Sequence, residues 1–99
     1  MIQFVWEFIA RGDKIAEFEK HYSAAGSWAT LFRDSPGYLG TTLLRDAQTP
    51  RRYLTIDRWE SMESHHAMRE RFAEQYGALD RECEVLTEIE RQIGIFEEN

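Results

Sequence analysis

The chain has one cysteine, two prolines, six glycines and a single asparagine, the terminal Asn99, among its 99 residues. A lone Cys83 excludes an intrachain disulfide, and a reducing, cytoplasmic location is the expectation that follows. So little proline and glycine, beside 42% hydrophobic and 30% charged residues, excludes a disordered or low-complexity chain. No apolar run approaches the roughly 18 residues of a membrane-spanning helix. The opening MIQFVWEFIARGDK is interrupted by Glu7 and lacks the basic n-region and small-residue cleavage site of a secretory leader. Positive charge is also scarce: 12 Lys and Arg stand against 18 Asp and Glu, for a net charge of −6. Residues 1–59 carry 8 basic and 7 acidic side chains, whereas residues 60–99 carry 4 and 11. Neither part can neutralise a run of phosphates, so nucleic acid and anionic membranes are not expected partners. No H-x-x-x-H or C-x-x-C spacing occurs, and His65 and His66, adjacent on a helix, point about 100° apart, so no metal site is expected.

What the chain does have is aromatic residues, 13% of the total, and clear periodicity. Ile2, Phe4, Trp6 and Phe8 alternate with Gln3, Val5, Glu7 and Ile9, which predicts a strand over Ile2–Ile9. Asp13 is the expected N-cap of a long helical pattern carried by Ile15, Phe18, Tyr22, Ala25, Trp28 and Phe32, with a break at Gly26-Ser27. Ser35-Pro36-Gly37 forms a turn into a second strand from Tyr38 to about Asp46. DAQTP is a hairpin loop, and RYLTIDRWES gives a third strand, antiparallel to the second and ending at Trp59. Ser61 caps a helix whose stripe is His65, Met68, Phe72 and Tyr76, and Gly77 is its expected end. A short helical segment over Asp80–Leu86 and a last strand over Glu88–Phe96, with Ile89, Ile93 and Ile95 inward, complete the order.

That order, β-α-β-β-α-(α)-β, is the split βαβ pattern of a ferredoxin-like α+β fold with a four-stranded antiparallel sheet, in one domain over residues 1–99. The first three strands carry large apolar side chains on both faces. Helices cover one face, and the same face of a second copy is the economical cover for the other, so an isologous homodimer is expected.

In its aromatic first strand, in GSWATLFRDSPGYLGTTLLRD and above all in YLTIDRWESMES, the chain resembles the antibiotic biosynthesis monooxygenase (ABM) domain family over nearly its whole length. The resemblance implies a dimeric α+β barrel. It also implies one of several activities: oxygenation of aromatic polyketides or quinols without metal or flavin, haem degradation, or no established reaction. Haem-degrading relatives use a first-strand asparagine with a tryptophan and a histidine on or after the second helix. Here the only asparagine is Asn99, and the helical positions fall near Met68 and Ala78, so that activity is disfavoured. The expected function is a cofactor-independent monooxygenase of a small aromatic or quinol-like metabolite, needing a dry pocket, an orienting donor and a base. The alternatives are a non-catalytic dimer that binds a small molecule, or one whose pocket is filled by side chains.

The candidate catalytic residues are His65, the only histidine on the inward stripe, Trp59 and Asp57. Trp6, Tyr53, Met68, Phe72 and Tyr76 are the expected pocket wall. Each has a plain structural reading too. Trp59 can lock sheet to helix, His65 can be a hydrogen-bonded, partly buried histidine, and Asp57 can pair with Arg45 or Arg58. Exposed hairpin arginines and a surface His21 are expected to be solvated, Cys83 to be an inert half-buried thiol, and the FEEN tail to be a solvated end.

Overall fold

A computed structural model describes residues Met1–Asn99. The elements run β1 (Ile2–Ala10), α1 (Ile15–Tyr22), α2 (Ser27–Phe32), β2 (Tyr38–Arg45), β3 (Arg52–Trp59), α3 (Met62–Arg71), α4 (Ala73–Cys83), a 3-10 turn at Glu84–Leu86 and β4 (Thr87–Glu97). The sheet order is β2-β3-β1-β4, with every neighbouring pair antiparallel. This is the ferredoxin-like arrangement that the alternating strand and helix periodicities predict. No helix is long and apolar enough to cross a membrane.

Residues directly opposite in an antiparallel pair share a face, so register sorts the side chains. Ile2, Phe4, Trp6 and Phe8 stand opposite Trp59, Asp57, Thr55 and Tyr53, and this set faces the helices. Phe4, Phe8, Tyr53 and Trp59 are buried there with Phe18, Tyr22, Trp28 and Phe32 of α1 and α2 and Met68 of α3. The rings interlock in tilted and edge-on pairs: Phe18 with Tyr53 at 4.7 Å between centroids, Phe32 with Trp59 at 5.6 Å. Such geometry adds to the area the rings bury.

The opposite face carries Val5, Ile9, Leu54, Ile56, Leu44, Ile89 and Phe96 with no helix over it. At its centre Glu7, only 8% exposed, accepts bonds from Arg52 Nε at 2.7 Å and Arg91 Nη2 at 2.7 Å, and Arg52 also reaches Asp46 at 2.8 Å. The two guanidiniums hold the Glu7 carboxyl below its ordinary range. Arg52 is therefore engaged rather than merely solvated. Arg51 likewise donates to the Ala10 carbonyl at 2.7 Å.

Local sequence explains most element ends. Ser61 caps α3: its hydroxyl accepts from Ser64 N at 3.1 Å, and Ser64 Oγ accepts from Ser61 N at 3.2 Å. In the Ser35-Pro36-Gly37 turn, Gly37 has φ 89°, and a Cβ there would lie 2.5 Å from Ser64 Cβ. Only glycine fits both the left-handed backbone and the contact. Gly26 serves a different purpose, because a Cβ on it would sit 2.5 Å from the Lys20 carbonyl oxygen at the end of α1.

Four local expectations are corrected. Asp13 does not cap α1; the N-cap position is Lys14 without a side-chain cap, and Asp13 lies 3.9 Å from Arg11 instead. Gly77 does not end a helix but sits inside α4, and the bend between α3 and α4 falls at Phe72, with φ −111° and ψ 28°. Hydrogen bonds from Phe72 N to Met68 O and from Tyr76 N to Phe72 O bridge the bend, so the α4 ladder tolerates the glycine. Ile89, Ile93 and Ile95 do not share an inward face. A register shift against Val5/Trp6 leaves Ile93 unpaired, so Ile89 lies on the open face while Ile95 stands opposite Phe4. His21 is not a free surface residue: its Nδ1 lies 2.8 Å from Ser27 Oγ, tying α1 to α2, and its Nε2 lies 4.0 Å from Glu82 on α4.

Candidate functional site

Between the helix-facing side of the sheet and the helices remains a cavity of about 260 Å3. Its apolar wall is Trp6 and Phe8 of β1, Tyr22 of α1, Trp28 and Phe32 of α2, and Tyr76 of α4. Its polar wall is Thr41, Thr55 and Asp57 from the sheet, Arg69, Asp80 and Glu90. The volume lies near the lower end of small-ligand sites, roughly 300 Å3 upward. A second depression of about 400 Å3 lies outside α3 against Ser35 and Pro36, but only two of its seven lining residues are hydrophobic and none is aromatic. The smaller space is where aromatic surface and a perturbed carboxyl meet, and it is the better site for that reason.

Asp57 reaches the cavity because period-2 alternation on β3 puts it on the same face as Tyr53, Thr55 and Trp59. Its partner is a hydroxyl and not an arginine. Thr41 Oγ1 on the neighbouring β2 donates to Asp57 Oδ1 at 2.6 Å, and the Tyr38 hydroxyl is 2.6 Å from Thr41 Oγ1. The expected pairing with Arg45 or Arg58 is corrected here, since Arg58 projects to the other face and donates to Thr42 at 2.9 Å. Burial disfavours the charged form and pushes the Asp57 carboxyl up to about 6, against smaller lowering effects from the Thr41 bond and Arg58. Arg69 lays its guanidinium 3.9 Å from the centre of the Tyr76 ring, a cation–π contact in the cavity wall.

Of the residues singled out from the sequence, Trp6, Asp57 and Tyr76 converge on this cavity. The others stand elsewhere. Trp59 is fully buried among Phe32, Tyr38 and His65. His65 stacks on Phe4 at 3.9 Å, and burial, with help from Arg69 and His66, pushes it down to about 4, leaving a neutral imidazole at neutral pH. The Tyr53 hydroxyl donates to Glu19 at 2.6 Å, Met68 is buried against the outer depression, and Phe72 packs on the core edge. Cys83 is buried, and its thiol is pushed up by that burial. Trp28, Thr41 and Arg69 are among the nine wall residues that sequence reasoning does not single out for the site. Trp28 has the same spacing signature as a core residue, and Thr41 gains meaning only once the β2–β3 register is known.

The fold is thus a ferredoxin-like α+β domain with an aromatic cavity under its helices, and burial raises the pKa of two carboxyls in the cavity wall, Asp57 and Glu90. The family model for antibiotic biosynthesis monooxygenase matches residues 1–78, and the chain belongs to that family. Among solved structures, SnoaB, a cofactor-independent oxygenase from Streptomyces nogalater, is similar with 25% identity and a TM-score of 0.74, over 99% of this chain and 92% of that one. A Deinococcus radiodurans protein shares the fold at 15% identity and a TM-score of 0.79, covering 100% of this chain and 93% of its own. A Methanosarcina mazei Go1 protein does so at 14% identity and a TM-score of 0.67, covering 99% and 92%. No curated protein sequence matches the chain.

Proposed function

We propose that this protein is a cofactor-independent monooxygenase of a small phenolic or quinol-like aromatic, working as a homodimer. Asp57 carries the reading: a carboxyl on the wall of an aromatic cavity, raised to about 6, is a base poised for use near neutral pH. The likeness to SnoaB supports the reaction class.

In the proposed sequence, a planar substrate lies among Trp6, Trp28, Phe32 and Tyr76, and its hydroxyl gives a proton to Asp57. The phenolate passes one electron to dioxygen, and the radical pair combines to form a ring C–O bond. Transfer of the ring C–H proton to the distal oxygen of the resulting peroxide anion then breaks the O–O bond, leaving a carbonyl and releasing hydroxide, which the proton on Asp57 converts to water. The balance is phenol plus dioxygen to quinone plus water, with no external reductant. Arg69, the one cation in the cavity wall, is suited to hold the phenolate and superoxide charges.

The second copy belongs on the open sheet face, where Val5, Ile9, Leu54 and Ile56 surround the Glu7–Arg52–Arg91 cluster. That packing leaves the cavity on the helix side of each protomer.

The test is oxygen uptake over a panel of hydroquinones and naphthols, comparing the protein with Asp57→Asn. Protein-dependent uptake that falls at least a hundredfold in the variant is the expected result. No uptake across the panel from a folded protein refutes the oxygenase, and an aromatic molecule retained in a native mass spectrum alongside that failure identifies a binding protein instead.

A further inference from the structure

The chain Tyr38–Thr41–Asp57 has a direction fixed by proton counting. A hydroxyl has one hydrogen. Thr41 spends its own on Asp57 Oδ1, so at the 2.6 Å contact with Tyr38 it must accept, and the Tyr38 hydroxyl is the donor. The two bonds run one way, from the sheet edge on β2 to the carboxyl on β3. Asp57 Oδ1 is thereby occupied, while Oδ2 has no hydrogen-bond partner in the protein. One carboxyl oxygen is held and the other is left for a ligand.

Resting on the oxygenase reading above, we propose that Thr41 and Tyr38 are positioning residues for Asp57, a two-hydroxyl brace that fixes the carboxylate through Oδ1 and reserves Oδ2 for the proton of the substrate hydroxyl. The consequence is a preference for aromatics with a hydroxyl at the ring edge that meets β3. The methyl ether of the same ring offers Oδ2 no proton and is not turned over.

The brace works against burial. Each donated bond favours the carboxylate, and Tyr38 strengthens Thr41 as a donor by polarising it. Other charged and titratable groups also face the site: Tyr22 from α1, Arg69 from α3, Tyr76 and Asp80 from α4, and Glu90 from β4, while Arg58 acts on Asp57 only through space from the opposite face. None of these forms a hydrogen bond to Asp57, so Thr41 is the only direct handle on the carboxyl.

The experiment is a pH titration of the Asp57 side-chain carboxyl by carbon NMR in the dimeric protein, with Thr41→Val, Thr41→Ser and Tyr38→Phe, beside the pH profile of oxygen uptake. Removing the donor with Thr41→Val is expected to raise the midpoint by at least one unit, which at pH near 6 lowers the ionised fraction about fivefold. Thr41→Ser restores the midpoint, and Tyr38→Phe raises it by a smaller amount. Uptake in Thr41→Val recovers at alkaline pH, which a general packing defect would not produce. An unchanged midpoint in Thr41→Val overturns the brace. Should Thr41→Val not fold, an unchanged midpoint in Tyr38→Phe overturns it as well. The NMR titration needs no turnover, so a normal brace with no oxygen uptake condemns the oxygenase reading alone, while uptake with an unmoved midpoint condemns the brace alone.

Discussion

Replacing Asp57 by asparagine should make the protein more stable at neutral pH and less active. The carboxyl has an ordinary value of 3.8 and stands at about 6 in the folded protein, so ionisation is harder by about two units, or about 3 kcal/mol. Because the folded value lies above the unfolded one, the stabilising contribution is full below pH 3.8 and is lost as pH rises through 6. Wild-type stability therefore declines between about pH 4 and pH 7 by up to ~3 kcal/mol on this account. Asparagine has nearly the same shape, keeps an oxygen to accept from Thr41, and does not titrate. The variant should match wild type near pH 4 and exceed it near pH 7.5 by as much as ~3 kcal/mol, or roughly 10–20 °C in Tm for a domain this small. Glu90 is also raised by burial and by Asp80, but it is present in both proteins and cancels in the difference. The assay is urea unfolding at fixed protein concentration across that pH range, because the stability of the proposed dimer would depend on concentration. Equal stability of the two proteins at pH 7.5, or the same pH slope in both, refutes the placement of an ionisable carboxyl where burial opposes its charge.

Two further outcomes are expected. Gly26→Ala should cost ~2 kcal/mol or more, because its Cβ meets the Lys20 and His21 carbonyl oxygens at 2.5 and 2.6 Å and backbone cannot yield, whereas Gly12→Ala, with nothing nearer than Arg51 Cδ at 3.9 Å, should stay within about 0.5 kcal/mol; thermal melts of the pair decide this. Ile56→Asp puts a charge at the centre of the open face and should convert a dimer to an 11.7 kDa species in sedimentation without disturbing the cavity; an unchanged sedimentation coefficient places the second copy elsewhere.

Much of the fold is legible because local signals are strong where they agree. The strict alternation of β1, the Ser61 cap and the Pro36-Gly37 turn each specify one conformation by a local mechanism. Gly77 misleads because its cost in a helix, about 1 kcal/mol, is small against the packing that holds α4 around it. The β4 bulge is invisible to a period-2 reading, since a single unpaired residue at Ile93 reverses the faces beyond it. The candidate site is harder to read for the same reason. Asp57, Trp6 and Tyr76 follow from face assignments within single elements. Thr41 depends on how β2 meets β3, and that register is set by a shift between Tyr38 and Gly40 that no short-range pattern reveals. Trp28 and Phe32 look identical to core residues in the sequence, and whether they fill the space or wall it is decided by the volume left over.

Glu7 and Asp57 are carboxyls that the fold treats in opposite ways, one compensated by cations and the other left without a bonded one. They sit on adjacent central strands and on opposite faces of one sheet. Glu7 is clamped by Arg52 and Arg91, and its pKa is lowered by those two hydrogen bonds; a carboxylate so compensated serves the structure. Asp57 is offered one hydroxyl and no bonded cation, and its pKa is raised. A carboxyl wanted only for structure would be expected to have gained a partner such as Glu7 has, or to be replaced by an amide that keeps the Thr41 bond without the ionisation penalty. Pairs of acidic groups whose surroundings drive their pKa values apart mark the division between scaffold and chemistry. Here the division runs through the thickness of the sheet: one face clamps its carboxylate between two arginines, and the aromatic face holds a carboxyl of raised pKa beside a cavity, the group that the proposed chemistry would use.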